Sequence, residues 1–180
     1  MVQLSSLMWI LAAFFAVTGF LRGWNREIIG LAGILVSMFA LFQFDVPIRS
    51  IVLTQWLGFS FGQVFVIQAA IFLIVVFFAY TNESFAPEQR DDDKSFQDGL
   101  LGTLIGFVNG YLIGGTIWYF LDINEYPLSP YVMSPVANSS AAESLGSIPL
   151  VILSGGLGGS GDTLMVGVII ILLISLLLLM

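Results

Sequence analysis

Few residues in this chain have types and spacing that could do chemistry. Asp91-Asp92-Asp93 are three adjacent carboxylates that could attract Ca²⁺ or Mg²⁺. An EF-hand loop, however, needs alternating ligands, a central Gly and a Glu at its twelfth position. Here the acids are consecutive, and Thr81 to Lys94, interrupted by Pro87, reads as a solvated loop. The string Ser154-Gly155-Gly156-Leu157-Gly158-Gly159-Ser160-Gly161 has the glycines of a phosphate loop without its Gly-Lys-Ser/Thr ending, and no Lys follows Lys94. It reads as a flexible linker. The absence of Cys and His removes thiol nucleophiles, disulfides and the commonest metal ligand together. No Ser stands with a plausible base, so neither an enzyme nor a cofactor is expected.

What remains polar lies in strongly apolar surroundings. Gln68 and Asn109 interrupt apolar runs, and each reads first as a helix-to-helix hydrogen bond, with a pore or ligand role as the alternative. Asp98 follows Ser95 by three residues, the form of a capping box at a helix start. Gly102, Gly106 and Gly110 follow at intervals of four and make a flat stripe on which another helix can lie closely. Glycine costs roughly 0.5–1 kcal/mol in a helix relative to Ala, so three on one stripe ask for a packing reason.

The elements that position these residues are membrane spans. Of 180 residues 58% are hydrophobic and 9% charged, with mean hydropathy +0.99, whereas soluble domains are about a quarter charged. The net charge of −7 describes one loop, since six of the twelve acids fall between Glu83 and Asp98. Five Lys and Arg cannot make a basic stripe, and nucleic acid is not an expected partner. The expected partners are the lipid bilayer and other membrane-protein subunits or a second copy.

Apolar runs cover Leu4 to Leu21, Ile28 to Phe44, Val64 to Tyr80 and Gly99 to Leu121, each near the roughly 20 residues that cross a bilayer. The first run has no Lys or Arg before it, and Arg22 and Arg26 come after it, so it reads as a retained helix and not a signal peptide. Arg22 to Glu27 reads as a tight polar turn joining two antiparallel neighbours. Asp45 to Gly62, broken by Pro47 and Arg49, reads as an amphipathic interfacial segment. The predicted fold is an all-α polytopic bundle of four core transmembrane helices within 1–122. A Pro/Ser/Gly-rich extracytoplasmic loop and linker follows over 123–162, then a fifth helix over 163–180.

Four of the five Lys and Arg fall on one side: Arg22, Arg26, Arg90 and Lys94, against Arg49 alone. The positive-inside rule then puts the amino terminus outside and the carboxyl terminus inside. Arg22, Arg26 and Asp98 meet at the cytoplasmic face in this topology. One arginine is therefore expected to dock the fourth span through Asp98, against the alternative that each charge is solvated and anchors its own helix.

Two stretches resemble a known family. Gly19-Phe20-Leu21-Arg22-Gly23-Trp24-Asn25-Arg26-Glu27-Ile28-Ile29-Gly30-Leu31-Ala32-Gly33 resembles the first hairpin of the bacterial colicin V production protein (CvpA) family. Asp98-Gly102-Gly106-Gly110, ending at Phe120-Leu121-Asp122, resembles that family's last core helix. The resemblance covers about residues 7–122. It implies a small inner-membrane protein linked to toxin production or export and to envelope integrity, with no established enzymatic activity. Asn109 stands where the family often has Arg, and residues 123–180 lie outside the resemblance. Gly19-Phe20-Leu21-Arg22-Gly23 and Gly106-Phe107-Val108-Asn109-Gly110 also echo each other, as an inverted repeat would, though five residues do not define a transporter.

Overall fold

A computed structural model describes residues 4–81, 95–136, 142, 144–156 and 158–179. The carboxylates Asp91-Asp92-Asp93 lie outside the described residues. The elements are α1 (Leu4–Arg22), α2 (Trp24–Gln43), a wide-turned π-helical segment (Asp45–Trp56), α3 (Phe61–Thr81), α4 (Phe96–Ile123), a 3₁₀ turn (Ser144–Ser147), α5 (Pro149–Ser154) and α6 (Asp162–Leu179). No strand occurs among the described residues. Helices α1 to α4, of 19, 20, 21 and 28 residues in the order α1, α2, α3, α4, are long and apolar enough to span a membrane, and α6 is a shorter apolar helix. The protein is an all-α, multi-pass membrane protein.

The polar turn expected over Arg22 to Glu27 shrinks to a single residue. Gly23 has φ 85° and ψ 161°, a backbone conformation that a side chain would strain. Trp24 to Glu27 already form the first turn of α2. Helicity at these positions rotates Glu27 away from water and into the bundle, where it is fully buried. The expected pairing of the first two spans also changes. α1 packs chiefly along α4, while α2 packs on α4, α3 and α6. Glycines let two backbones approach more closely than the bulkier faces of α1 and α2 allow.

α4 is the axis of the molecule. Its capping box is complete: Ser95 Oγ accepts from Asp98 N at 3.2 Å, and Asp98 Oδ2 accepts from Ser95 N at 3.0 Å. A Cβ added at Gly102, Gly106 or Gly110 would run into backbone atoms of Gly19, Phe15 or Leu11 respectively. Gly114, one further step of four, lies against Met8, where an added Cβ would be 3.0 Å from the Cα. The core is closed by Ile34, Met38, Phe72, Trp118 and Phe120, with the rings of Phe72 and Phe120 edge to face at 5.9 Å.

Within the stretch after α4 that reads as loop and linker, Ser144–Ser147 form a 3₁₀ turn and Pro149–Ser154 a short helix. Ile148, Pro149, Leu150 and Val151 are buried, because four apolar residues in a row need cover that a solvated linker cannot give. Pro149 takes the first helical position of α5 and seats in the notch that Gly115 leaves on α4. Gly155 stops α5 in the left-handed conformation, with Gly155 N donating to Ile152 O at 3.2 Å and Gly156 N to Val151 O at 2.8 Å. Of the Pro and Gly in this stretch, Pro149 is a helix start signal and Gly155 a stop signal.

Candidate functional site: a buried carboxylate shared by four helices

Glu27 gathers one side chain from each of the other three core helices. Arg22, the last residue of α1, donates from Nη1 to Glu27 Oε1 at 2.9 Å. Tyr80, in the last turn of α3, donates from Oη to Glu27 Oε2 at 3.0 Å. Asn109, midway along α4, donates from Nδ2 to Glu27 Oε2 at 2.9 Å and to the Glu27 main-chain carbonyl at 3.0 Å. Arg22 also donates from Nη2 to the Tyr80 carbonyl at 2.9 Å, and its guanidinium carbon lies 4.4 Å from the centre of the Tyr80 ring. Both carboxylate oxygens are therefore occupied, one by a cation and one by two neutral donors.

Each element presents its residue for a local reason. Glu27 sits in the first turn of α2, where the positive end of the helix dipole favours an anion. Gly30, one turn on, leaves the slot for the Tyr80 ring: an added Cβ would meet Tyr80 Cε2 at 2.8 Å. The side chain of Arg22 is 25% exposed while that of Glu27 is 0% exposed. The pair thus reaches the edge of the bundle only on the arginine side. A charge withdrawn from water this far is tolerated when its lone pairs are satisfied, as they are here. Asn109 Oδ1 is the exception, buried with no partner among the described residues.

A second polar group closes the far end. Gln68 Nε2 donates to Asp45 Oδ1 at 3.0 Å, and Asn124 Nδ2 donates to Gln68 Oε1 at 2.7 Å, so Gln68 makes a helix-to-helix bridge. Arg49 Nε donates to both oxygens of Asp45 at 2.8 and 2.9 Å, and that pairing holds the guanidinium above its ordinary range. Beyond α4, Glu125 and Tyr126 have φ of 59° and 51° and turn the chain back on itself. The turn is held by the buried Tyr126, whose hydroxyl accepts from Trp118 Nε1 at 3.2 Å and donates to Asp122 Oδ1 at 3.0 Å. Burial pushes the Tyr126 phenol above its ordinary range and keeps it a donor.

Of the residues singled out from the sequence, Arg22, Glu27 and Asn109 come together, and Gly19, Gly23, Gly102, Gly106 and Gly110 form the α1–α4 seam. Asp98 does not join Arg22. It accepts from Trp24 Nε1 at 3.1 Å, because Arg22 turns inward to the buried carboxylate. Arg26 lies half-buried in the first turn of α2. Tyr80, Asp45, Asn124, Gly114 and Gly115 were not singled out by the sequence, and Trp24 only as an interfacial residue of the first hairpin. Only Gly114 carried a signal, as the next step of the ladder. Among the described residues no group of acids could hold a metal ion.

The sequence model of one family, colicin V production protein, matches residues 4–148. The chain belongs to the colicin V production protein family. The match takes in all four core helices and the whole Glu27 network, and reaches beyond the stretch 7–122 that carries the resemblance. It stops just before α5, so α5 and α6 lie outside it. No curated protein and no solved structure matches the chain.

Proposed function

We propose that this member of the colicin V production family is a non-enzymatic protein of the bacterial cytoplasmic membrane, acting as a packing subunit of a larger membrane assembly. That assembly serves toxin production or secretion, or envelope homeostasis. The amino terminus is outside and the carboxyl terminus inside, as the four Lys and Arg on one side support. The observation that carries the reading is the use made of Glu27. An ionisable group at membrane depth is by default a functional candidate, yet this one spends both oxygens on holding helices together. Chemical cross-linking in native membranes, followed by purification in mild detergent, tests it. A stable complex larger than one chain, weakened by Glu27→Ala, is the expected result, and a lone chain that moves ions in liposomes overturns it.

A small transporter or channel is the second reading. Asn109 Oδ1, buried beside the carboxylate without a partner among the described residues, favours it. Proton or sodium flux in liposomes that Glu27→Gln abolishes would replace the first reading with this one.

A further inference from the structure

At the end of the bundle away from Glu27, α2 and α4 finish side by side, and α5 with its glycine turn folds over them. They enclose a cavity of about 300 Å³, lined among others by Phe42, Tyr119, Asp122, Val151, Ser154 and Gly156. Its volume is at the low end of the roughly 300–1,000 Å³ typical of ligand sites, so any occupant is small.

The chemistry of the walls is one-signed. Asp122 Oδ1 accepts from Tyr126, while the other carboxylate oxygen accepts from none of the described residues. Phe42 and Asp122 lie in the last turns of α2 and α4, so both helices turn the negative ends of their dipoles toward the cavity. Phe42 and Tyr119 add aromatic rings, whose faces attract cations. No Lys or Arg is among the described lining residues. Arg49 is held by both oxygens of Asp45. Among the described residues no Lys or Arg pairs with Asp122.

A bare or hydrated metal ion is a poor fit, since Ca²⁺ takes six to eight oxygen ligands and this cavity offers one carboxylate and the hydroxyls of Ser154 and Tyr119 among otherwise apolar side chains. A cation with its own apolar body fits: its head rests on Asp122, and its alkyl groups lie against Phe42, Tyr119 and Val151. We infer that this cavity binds a small organic ammonium group, with Asp122 as counter-ion and Phe42 and Tyr119 as aromatic walls. The ammonium can be that of a free amine or of a lipid headgroup, and the two sources share the same recognition chemistry.

The test uses the full chain. In maltoside detergent, the unfolding temperature is followed during titration with choline or ethanolamine at constant ionic strength set by NaCl. In phosphatidylglycerol nanodiscs, the same measurement is made with and without phosphatidylethanolamine. A saturable stabilisation by free amine assigns the site to a soluble ligand, and one seen only with phosphatidylethanolamine assigns it to a headgroup. In either case Asp122→Asn should weaken the apparent affinity by at least about tenfold, the loss expected for a hydrogen bond to a charged group. Asn keeps an oxygen for the Tyr126 hydroxyl, so the turn after α4 is retained. Phe42→Leu should weaken binding less, with the charge intact. No saturable response to either source, or a response that Asp122→Asn leaves unchanged, overturns the inference.

Discussion

Truncating Glu27 to Ala removes the acceptor for donors from three helices and leaves the Arg22 guanidinium facing an apolar bundle. Removing one partner of a buried ion pair costs about 3–5 kcal/mol. Because a quarter of the Arg22 side chain keeps contact with its surroundings, the cost should lie near the lower end, about 3 kcal/mol. Denaturant titration of the purified protein in detergent measures it, and a loss below about 1 kcal/mol, the size of an exposed pair, would show the network to be incidental. Asp98 supplies the contrast. Its carboxylate accepts from the Trp24 indole and, among the described residues, from no arginine, so a double-mutant cycle of Trp24→Phe with Asp98→Asn should show a coupling energy. The cycle of Arg22→Gln with Asp98→Asn should show none. The opposite pattern would restore the arginine docking that the sequence led us to expect.

At the scale of elements, α4 is held by two kinds of contact that a single methyl group can tell apart. An added Cβ at Gly106 meets the Phe15 carbonyl and lies 3.1 Å from Gly19 Cα, both backbone atoms of a packed helix that cannot step aside. At Gly99 the nearest atoms are those of the Phe20 ring, at 2.8 Å, a side chain that is 41% exposed and can shift where a helix backbone cannot. Gly106→Ala should therefore cost about 1–3 kcal/mol, the range for overpacking. Gly99→Ala should change stability little, since Ala gains roughly 0.5–1 kcal/mol of helix propensity against the small shift of Phe20. Thermal unfolding in detergent distinguishes them, and equal effects would mean that the α1–α4 seam is not the close backbone contact described here. Gly115→Ala belongs with Gly106. It pushes Pro149 out of its notch, and limited proteolysis should then cut between α4 and α6 faster than in the parent protein.

For the whole molecule the open quantity is orientation, and the structure supplies accessible positions at which to read it. Ser60 is exposed between the π-helical segment and α3, and Gln97 is exposed in the first turn of α4. With the amino terminus outside, cysteine at Ser60 should react with a membrane-impermeant reagent added to intact cells, while cysteine at Gln97 should react only after lysis. The reverse labelling would invert the proposed topology. Both positions lie at helix starts, on opposite sides of the same bundle, so one pair of variants decides the question for all four core spans.

Composition and run length alone determined that this chain is a helical membrane protein, because a bilayer admits few other ways to satisfy an apolar chain's backbone. The capping box at Ser95 and the glycine stripe were also legible, since both depend on spacings of three and four within one helix. Which helix fills the stripe was not. That choice pits α3, the neighbour of α4 along the chain, against the distant α1, and only close approach of the packed backbones settles it in favour of α1. The Glu27 network was hidden for a similar reason. Whether Arg22 to Glu27 is a turn or a helix start decides which way the carboxylate points, and the single residue Gly23 makes it a helix start. Tyr80 and Asn109, 53 and 82 positions away from Glu27, reach it through tertiary packing that no local pattern encodes. Pro149 and Gly155 went the other way: they matched a linker in composition, and only the burial of Ile148 to Val151 gave them their positions as helix signals.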